Sequence, residues 1–365
     1  MKCNLISGLI LNDETYALYY QVVHKSFFVN KGIKGGFLKM IYVFYLLLAL
    51  AVIYLSLKLS YYVDLLDKTT NLSGAFLGGV MLAAVTSIPE LFTSMSSVLI
   101  VKQPDMVMGN ILGSNTFNLA VLGLLILFSL NKFRNSTISS SHKTTCFALI
   151  IINILLMVAA YSGLSFNILG VNVVSIFILI TYVIAIKTMS SSDDDKDEEN
   201  TMTTDLSTKD IMIRFLAMSV LLIIASIAIT YVTDIIATKL NLGVTFAGAL
   251  LLAVATSLPE VVSSISLVAK GNINATMGNI LGSNLFNLTI LFVADLLLVN
   301  GSIFTMTAEA NNLLMLGSMA TLAITCVVIT KFKSSEFTKK LSYSVYALGS
   351  VICTSSYMLF LVLNR

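Results

Sequence analysis

Charge is what this sequence has least of. Only 11% of its 365 residues are Asp, Glu, Lys or Arg, against roughly a quarter in soluble domains. The residual net charge of +3 sits on basic residues in short loops, which gives no basis for a nucleic-acid partner. Proline is scarce: Pro89, Pro104 and Pro259 are the whole supply. The two histidines, His24 and His142, lie outside the apolar runs, which argues against a histidine-based metal site. The four cysteines (Cys3, Cys146, Cys326, Cys353) show no CxxC spacing and read as ordinary apolar filler. An intramembrane hydrolase would need a nucleophile or a metal-activated water, and the chain has neither HExxH nor a paired Asp motif. The chain reads as a non-enzyme without a cofactor.

What it has instead is apolar length. Hydrophobic residues make up 57% of the chain and the mean hydropathy is +0.91. Several runs reach the 18 or so residues that a membrane-spanning helix needs. Ten spans are predicted, over 41–60, 73–101, 106–130, 146–163, 167–188, 211–233, 243–269, 275–299, 312–330 and 342–363. Residues 1–40 differ: they are mixed polar and aromatic, carry five lysines and hold no signal-peptide core. Met40 directly precedes the first apolar run, and we expect it to be the natural start, with the segment before it an extension. The segment 190–210 is acidic and polar and reads as a solvated linker. A regulatory calcium loop is the other reading there, without EF-hand spacing to support it.

The two halves, 41–189 and 211–365, repeat each other. "GVMLAAVTSIPELFTSMSSVLI" at 79–100 pairs with "GALLLAVATSLPEVVSSISLVA" at 248–269, and "MGNILGSNTFNL" at 108–119 pairs with "MGNILGSNLFNL" at 277–288. Five spans is an odd number, so the second half must enter the membrane from the opposite side. The expected fold is therefore an all-α polytopic membrane protein with ten transmembrane helices in two inverted five-helix repeats. Fourteen of the 22 Lys and Arg residues fall in the loops after spans 1, 3, 5, 7 and 9. Basic residues mark the cytoplasmic side. A multi-pass protein of the cell membrane is expected, with a cytoplasmic linker and both termini outside; only the N-terminal lysines oppose this.

The repeated motifs carry the chemistry. Glu90 and Glu260 are the charged residues well inside spans two and seven. A carboxylate at the helix centre costs on the order of 3 kcal/mol or more, so it normally faces the protein interior and binds something. No intramembrane Lys or Arg is at hand, so a cation or a proton must neutralise each one. Pro89 and Pro259 precede the two glutamates. A proline has no N–H, which leaves the carbonyl four residues earlier, here Val85 or Ala255, without its partner. A kink explains one such proline but is a weak account of two in register. Thr86, Ser87, Thr256 and Ser257 lie three and four residues before each Glu, on the same helix face. Asn110, Ser114 and Asn118 form a stripe in span three, matched by Asn279, Ser283 and Asn287 in span eight. Gly109/Gly113 and Gly278/Gly282 run beside them as GxxxG pairs suited to close helix packing. On its own such a stripe serves equally as interhelical glue. Beside the glutamates it reads as the other half of an oxygen cage. Oxygen-only ligands favour Ca²⁺, Na⁺ or Mg²⁺ over zinc or copper. One Ca²⁺ or two Na⁺ balance two carboxylates, which is a physical basis for counter-transport.

These paired motifs closely resemble the two alpha repeats of the sodium/calcium exchangers, within the cation/calcium exchanger superfamily. The resemblance is specific over about 79–122 and 248–291. It implies a midplane site, and alternating access by sliding of the first and sixth helices. It implies as ligands Glu90, Glu260, Thr86, Ser87, Thr256, Ser257, Ser114, Ser283 and the last-position Asn118 and Asn287, with carbonyls from Ala83 and Ala253 rather than the Val85 and Ala255 of the proline argument. Its substrates would be Ca²⁺ and Na⁺, its surroundings the lipid bilayer; H⁺/Ca²⁺ or other divalent-cation exchange is the alternative, and a channel the more distant one. Relatives commonly carry Asp where this chain has Asn287, so two carboxylates rather than three are expected here, and proton coupling through that position is excluded.

Overall fold

The computed structural model describes residues 34–70, 86–162, 166–168, 170–190, 206–298, 301–332 and 336–364. The expectations placed on residues 1–33, on 71–85 (which include Ala83 and Val85) and on most of the acidic linker lie outside the described residues. Contacts divide the chain between Leu46 and Leu47 into two units; the packing and site described below lie in the second.

The described residues are almost wholly helical. The helices are α1 (Lys34–Thr70), α2 (Ile88–Leu99), α3 (Asp105–Phe128), the short α4 (Leu130–Asn135), α5 (Ser141–Ser162), α6 (Val173–Ser190), α7 (Thr208–Leu240), α8 (Val244–Ala269), α9 (Ile273–Leu297), α10 (Ala308–Lys331) and α11 (Glu336–Leu363). Among the described residues eight helices are long and apolar enough to cross a membrane, and α6 holds a shorter apolar stretch, Val173–Thr188. The chain is a multi-pass helical membrane protein.

Helix starts follow local chemistry. Ser207 caps α7 by accepting from the Asp210 N–H at 3.2 Å, Asn272 caps α9 through the Ala275 N–H at 2.9 Å, and Thr307 caps α10 through the Ala310 N–H at 3.2 Å. Asn241 ends α7 in the left-handed conformation at φ 52°, which Asn tolerates.

The predicted span 167–188 begins differently. Asn167–Ile168 (β1) and Val171–Asn172 (β2) form a tiny antiparallel hairpin, turned by Gly170 at φ 82°. Its reason is the start of α6. Asn172 Oδ1 accepts from the Val174 N–H at 2.9 Å. Asp295 of α9 accepts from the Asn172 N–H at 2.7 Å and the Ser175 hydroxyl at 2.8 Å. Asp295, which reads from the sequence as an interfacial residue, is buried.

A cluster of polar residues is buried within an apolar core, and large apolar residues also face outward. Leu216 and Leu348 are 56% and 63% exposed while Glu90, Ser114 and Asn287 are fully buried. In lipid the outward apolar face needs no partner, and helices associate through small residues and interhelical hydrogen bonds. α3 is the hub, packed against α2, α8, α9, α10 and α11. Its Gly109 and Gly113 lie directly on α8: a Cβ on Gly109 would collide with the Thr245 carbonyl, and one on Gly113 would lie 2.7 Å from Ala249 Cα. Gly248 returns the contact, 2.6 Å from a Cβ position to the Met106 carbonyl. α8 is itself irregular, with a π turn over Gly248–Leu252, and Tyr357 of α11 donates to the Ala249 carbonyl there at 3.0 Å.

Gly109→Val should lower the thermal stability of the detergent-solubilised protein by about 1–3 kcal/mol or more, because backbone cannot retreat from a Cβ as a side chain can. An unchanged melting temperature would show that α3 and α8 are not in contact at this point.

Candidate cation-binding site

Two prolines that look alike in sequence do different things. Pro89 falls in the first turn of α2, a position proline favours because the first N–H groups of a helix have no partner within it. Pro259 lies inside the helical stretch Ala253–Ala269. The irregular backbone in the second repeat is the π turn, upstream of Pro259, and π turns recur at functional sites. The Ala253 carbonyl lies 3.5 Å from the donating Ser114 hydroxyl of the other repeat.

Glu90 and Glu260 are fully buried and each is held by the other repeat. Ser257 donates to Glu90 Oε1 at 3.0 Å, and Ser87 donates to Glu260 Oε1 at 3.3 Å. Ser87 occupies the N-cap position of α2 without capping it; its hydroxyl is spent on the carboxyl instead. Thr256 and Ser114 adjoin Glu90, and Thr86 adjoins Glu260. Thr86 and Ser283 hydroxyls lie 3.3 Å apart, and Thr256 donates back to the Leu252 carbonyl at 2.9 Å. Thus eight of the twelve candidate ligands bond to or adjoin one another around α2, α3, α8 and α9, while Asn118 and Asn287 bond to Asn284 and Asn115. Ala83 lies outside the described residues, and Ala253 contributes through its carbonyl.

Hydroxyl contacts occupy one oxygen of each glutamate. The others are left over. Glu90 Oε2 and Glu260 Oε2 are buried without a hydrogen-bond partner, and so are Asn118 Oδ1 and Asn287 Oδ1, and Asn110 Oδ1 and Asn279 Oδ1. These are three repeat-related pairs, and all six atoms are acceptors. A buried acceptor left unsatisfied costs about 1–3 kcal/mol, and native proteins keep few of them. All six occupy repeat-related positions, and an oxygen acceptor is the kind of atom a hard cation takes as a ligand. No cluster of three or more His, Cys, Asp or Glu side chains occurs among the described residues, so the donor set rests on amides and hydroxyls as much as on carboxyls.

Asn110 and Asn279 stand in the stripe, and their amide nitrogens have a structural task. Asn110 Nδ2 reaches the Glu90 carbonyl at 3.3 Å, Thr93 Oγ1 at 2.9 Å and Ser94 Oγ at 3.0 Å. Asn279 Nδ2 repeats this with the Glu260 carbonyl at 3.3 Å and with Ser263 and Ser264 at 2.9 Å each. Each amide therefore fastens a glutamate's own backbone to the neighbouring helix. Asn115 and Asn284 were not singled out by sequence reasoning, although the repeated "GSN" at 113–115 and 282–284 carries both.

Residues 40–190 and 211–364 match the family described as sodium/calcium exchanger protein, and the chain belongs to that family, whose members are transporters. It is 26% identical over 263 residues to the inner membrane protein YrbG of Escherichia coli K12, covering 70% of this chain and 78% of that protein. Among solved structures, the H⁺/Ca²⁺ exchanger CAX superposes with a TM-score of 0.63 at 12% identity, covering 96% of both chains. YfkE follows with 0.59 at 17% identity, over 87% of this chain and 92% of that one. The sodium-calcium exchanger NCX_Mj, soaked with Na⁺ and Sr²⁺, gives 0.55 at 18%, over 89% and 99%. These likenesses show a shared helical exchanger fold.

Asn110→Ala should destabilise the protein by about 1–3 kcal/mol, because it leaves the Glu90 carbonyl and two hydroxyls without their shared donor. Thermal unfolding in detergent measures it; an unshifted transition would show that this amide does not hold α2 to α3.

Proposed function

We propose that the protein is a Na⁺/Ca²⁺ antiporter of the cell membrane, moving Ca²⁺ against Na⁺ by alternating access at one site between two inverted repeats. The observation that carries this reading is the set of unpartnered buried acceptors: Glu90 Oε2, Glu260 Oε2, Asn118 Oδ1 and Asn287 Oδ1. Thr86, Ser87, Thr256, Ser257, Ser114, Ser283 and the carbonyls of Ala83 and Ala253 complete the proposed ligand set. Such a set suits Ca²⁺ and Na⁺, which take oxygen ligands in flexible geometry. One Ca²⁺ or two Na⁺ neutralises both glutamates. The ionised, unloaded pair is too costly to carry across the bilayer, so only loaded forms cross, and uptake of one ion requires release of the other. With Asn287 neutral, the coupling rests on the two glutamates alone. The orientation goes with this reading: acidic linker in the cytoplasm and both termini outside, from the bias of Lys and Arg between the loops.

A second reading is H⁺/Ca²⁺ or other divalent-cation exchange on the same scaffold. The superposition on CAX favours it, and the glutamates themselves are able to carry protons. The two readings separate in proteoliposomes. An outward Na⁺ gradient should drive ⁴⁵Ca²⁺ uptake at uniform pH; uptake that ignores Na⁺ and follows a pH gradient would select the second reading.

Glu90→Gln and Glu260→Gln should each abolish Ca²⁺ transport while the variants remain monodisperse and thermally stable. Each removes one of the two charges a Ca²⁺ needs, in a site with no other described carboxylate. Transport retained by either variant would remove that glutamate from the site.

A further inference from the structure

Four amides link the two motif helices across the repeat, and their directions are fixed by chemistry rather than by choice. Asn115 Nδ2 lies 3.0 Å from the Asn284 backbone carbonyl, and Asn284 Nδ2 lies 3.0 Å from the Asn115 backbone carbonyl. A backbone carbonyl only accepts, so the NH₂ end of each amide must face it. Each Oδ1 is thereby turned the other way. Asn284 Oδ1 meets Asn118 Nδ2 at 3.0 Å, and Asn115 Oδ1 meets Asn287 Nδ2 at 3.1 Å. Those two NH₂ groups are now committed as donors. The oxygens of Asn118 and Asn287 are left as the free ends, and both are buried without a partner. An unrestrained amide has no such preference, since a 180° flip exchanges oxygen for NH₂ at little cost in shape.

Resting on the exchange reading above, we infer that Asn115 and Asn284 are positioning residues that fix which atom of Asn287 and Asn118 meets the cation. The order runs from the backbone carbonyl of one helix, through the outer amide, to the inner amide, and ends on an oxygen facing the ion. The pairing is crossed: Asn115 of α3 sets Asn287 of α9, and Asn284 of α9 sets Asn118 of α3. A flipped inner amide would present NH₂ to the ion and would repel it. The same network constrains residue type. Asn115 Oδ1 demands a donor at position 287, which an amide supplies and an ionised carboxylate does not.

The crossed pairing gives a test that a merely structural role fails. Ca²⁺ binding to the purified full-length protein in detergent is measured by titration calorimetry. Asn115→Ala should weaken Ca²⁺ binding by about tenfold, as expected when a ligand loses the group that orients it. Added to Asn287→Ala, it should cause little further loss, because the residue it acts through is gone. Added to Asn118→Ala, it should cause its full loss, because it does not act through that residue. The mirror cycle predicts that Asn284→Ala couples to Asn118→Ala and not to Asn287→Ala, and it carries the test if an Asn115 variant fails to fold. Equal coupling to both partners, or an Asn115→Ala protein binding within about twofold of the unmodified chain, overturns the inference. Failure of the exchange reading has a separate signature: Glu90→Gln then binds Ca²⁺ as the unmodified chain does, whatever Asn115 does.

Discussion

Two carboxyls are buried in a membrane protein, with no Lys or Arg among the described residues to meet them. The rest of the structure is arranged around that constraint. Glu90 and Glu260 each give one oxygen to a serine of the opposite repeat and keep the other free. Neither oxygen is met by Lys or Arg among the described residues. A permanent ion pair would stabilise the interior and leave nothing for a transported ion to do. Hydroxyl donors hold the carboxyls in place without neutralising them.

The helices serve that arrangement at successive distances from the two carboxyls. Serine and threonine hydroxyls touch the carboxyls. Asn110 and Asn279 tie down the backbone on which the glutamates sit. Asn115 and Asn284 accept from the amides of Asn287 and Asn118. Beyond these, Gly109, Gly113 and Gly248 let α3 and α8 approach until backbone meets backbone, which brings Ser114 within reach of the Ala253 carbonyl. Around this polar cluster lies an apolar core, and the helices also turn leucine and other large apolar residues outward, where lipid satisfies them.

Much of this was legible in the sequence, because membrane burial makes polar residues conspicuous. A glutamate in an apolar run, repeated with its Thr, Ser and Pro neighbours, stands out without any structure, and so does the Asn–Ser–Asn stripe. The helical class followed from hydropathy, and the family resemblance from the paired motifs agrees with the match over both halves. Four features were not legible. Pro259 drew attention to Ala255, but the irregular backbone lies at Gly248–Leu252; a π turn depends on packing and has no fixed sequence signature. The hairpin at 167–172 lies within a stretch apolar enough to read as helix, and Gly170 alone did not mark it. Asp295 lies at the end of an apolar run, and nothing local says that it reaches the start of α6. Asn115 is a fourth case: it sits one residue beside Ser114, off the helical stripe, and its role depends on a helix 169 residues away.

The central claim is that the unpartnered oxygens form one cation site, and the most direct measurement is the anomalous scattering of Ca²⁺ in crystals of the full-length protein. A single strong peak should lie between Glu90 and Glu260, with Asn118 and Asn287 oxygens among ligands at about 2.3–2.6 Å. A peak elsewhere in the bundle, with both glutamates still bound only to serines, would contradict it.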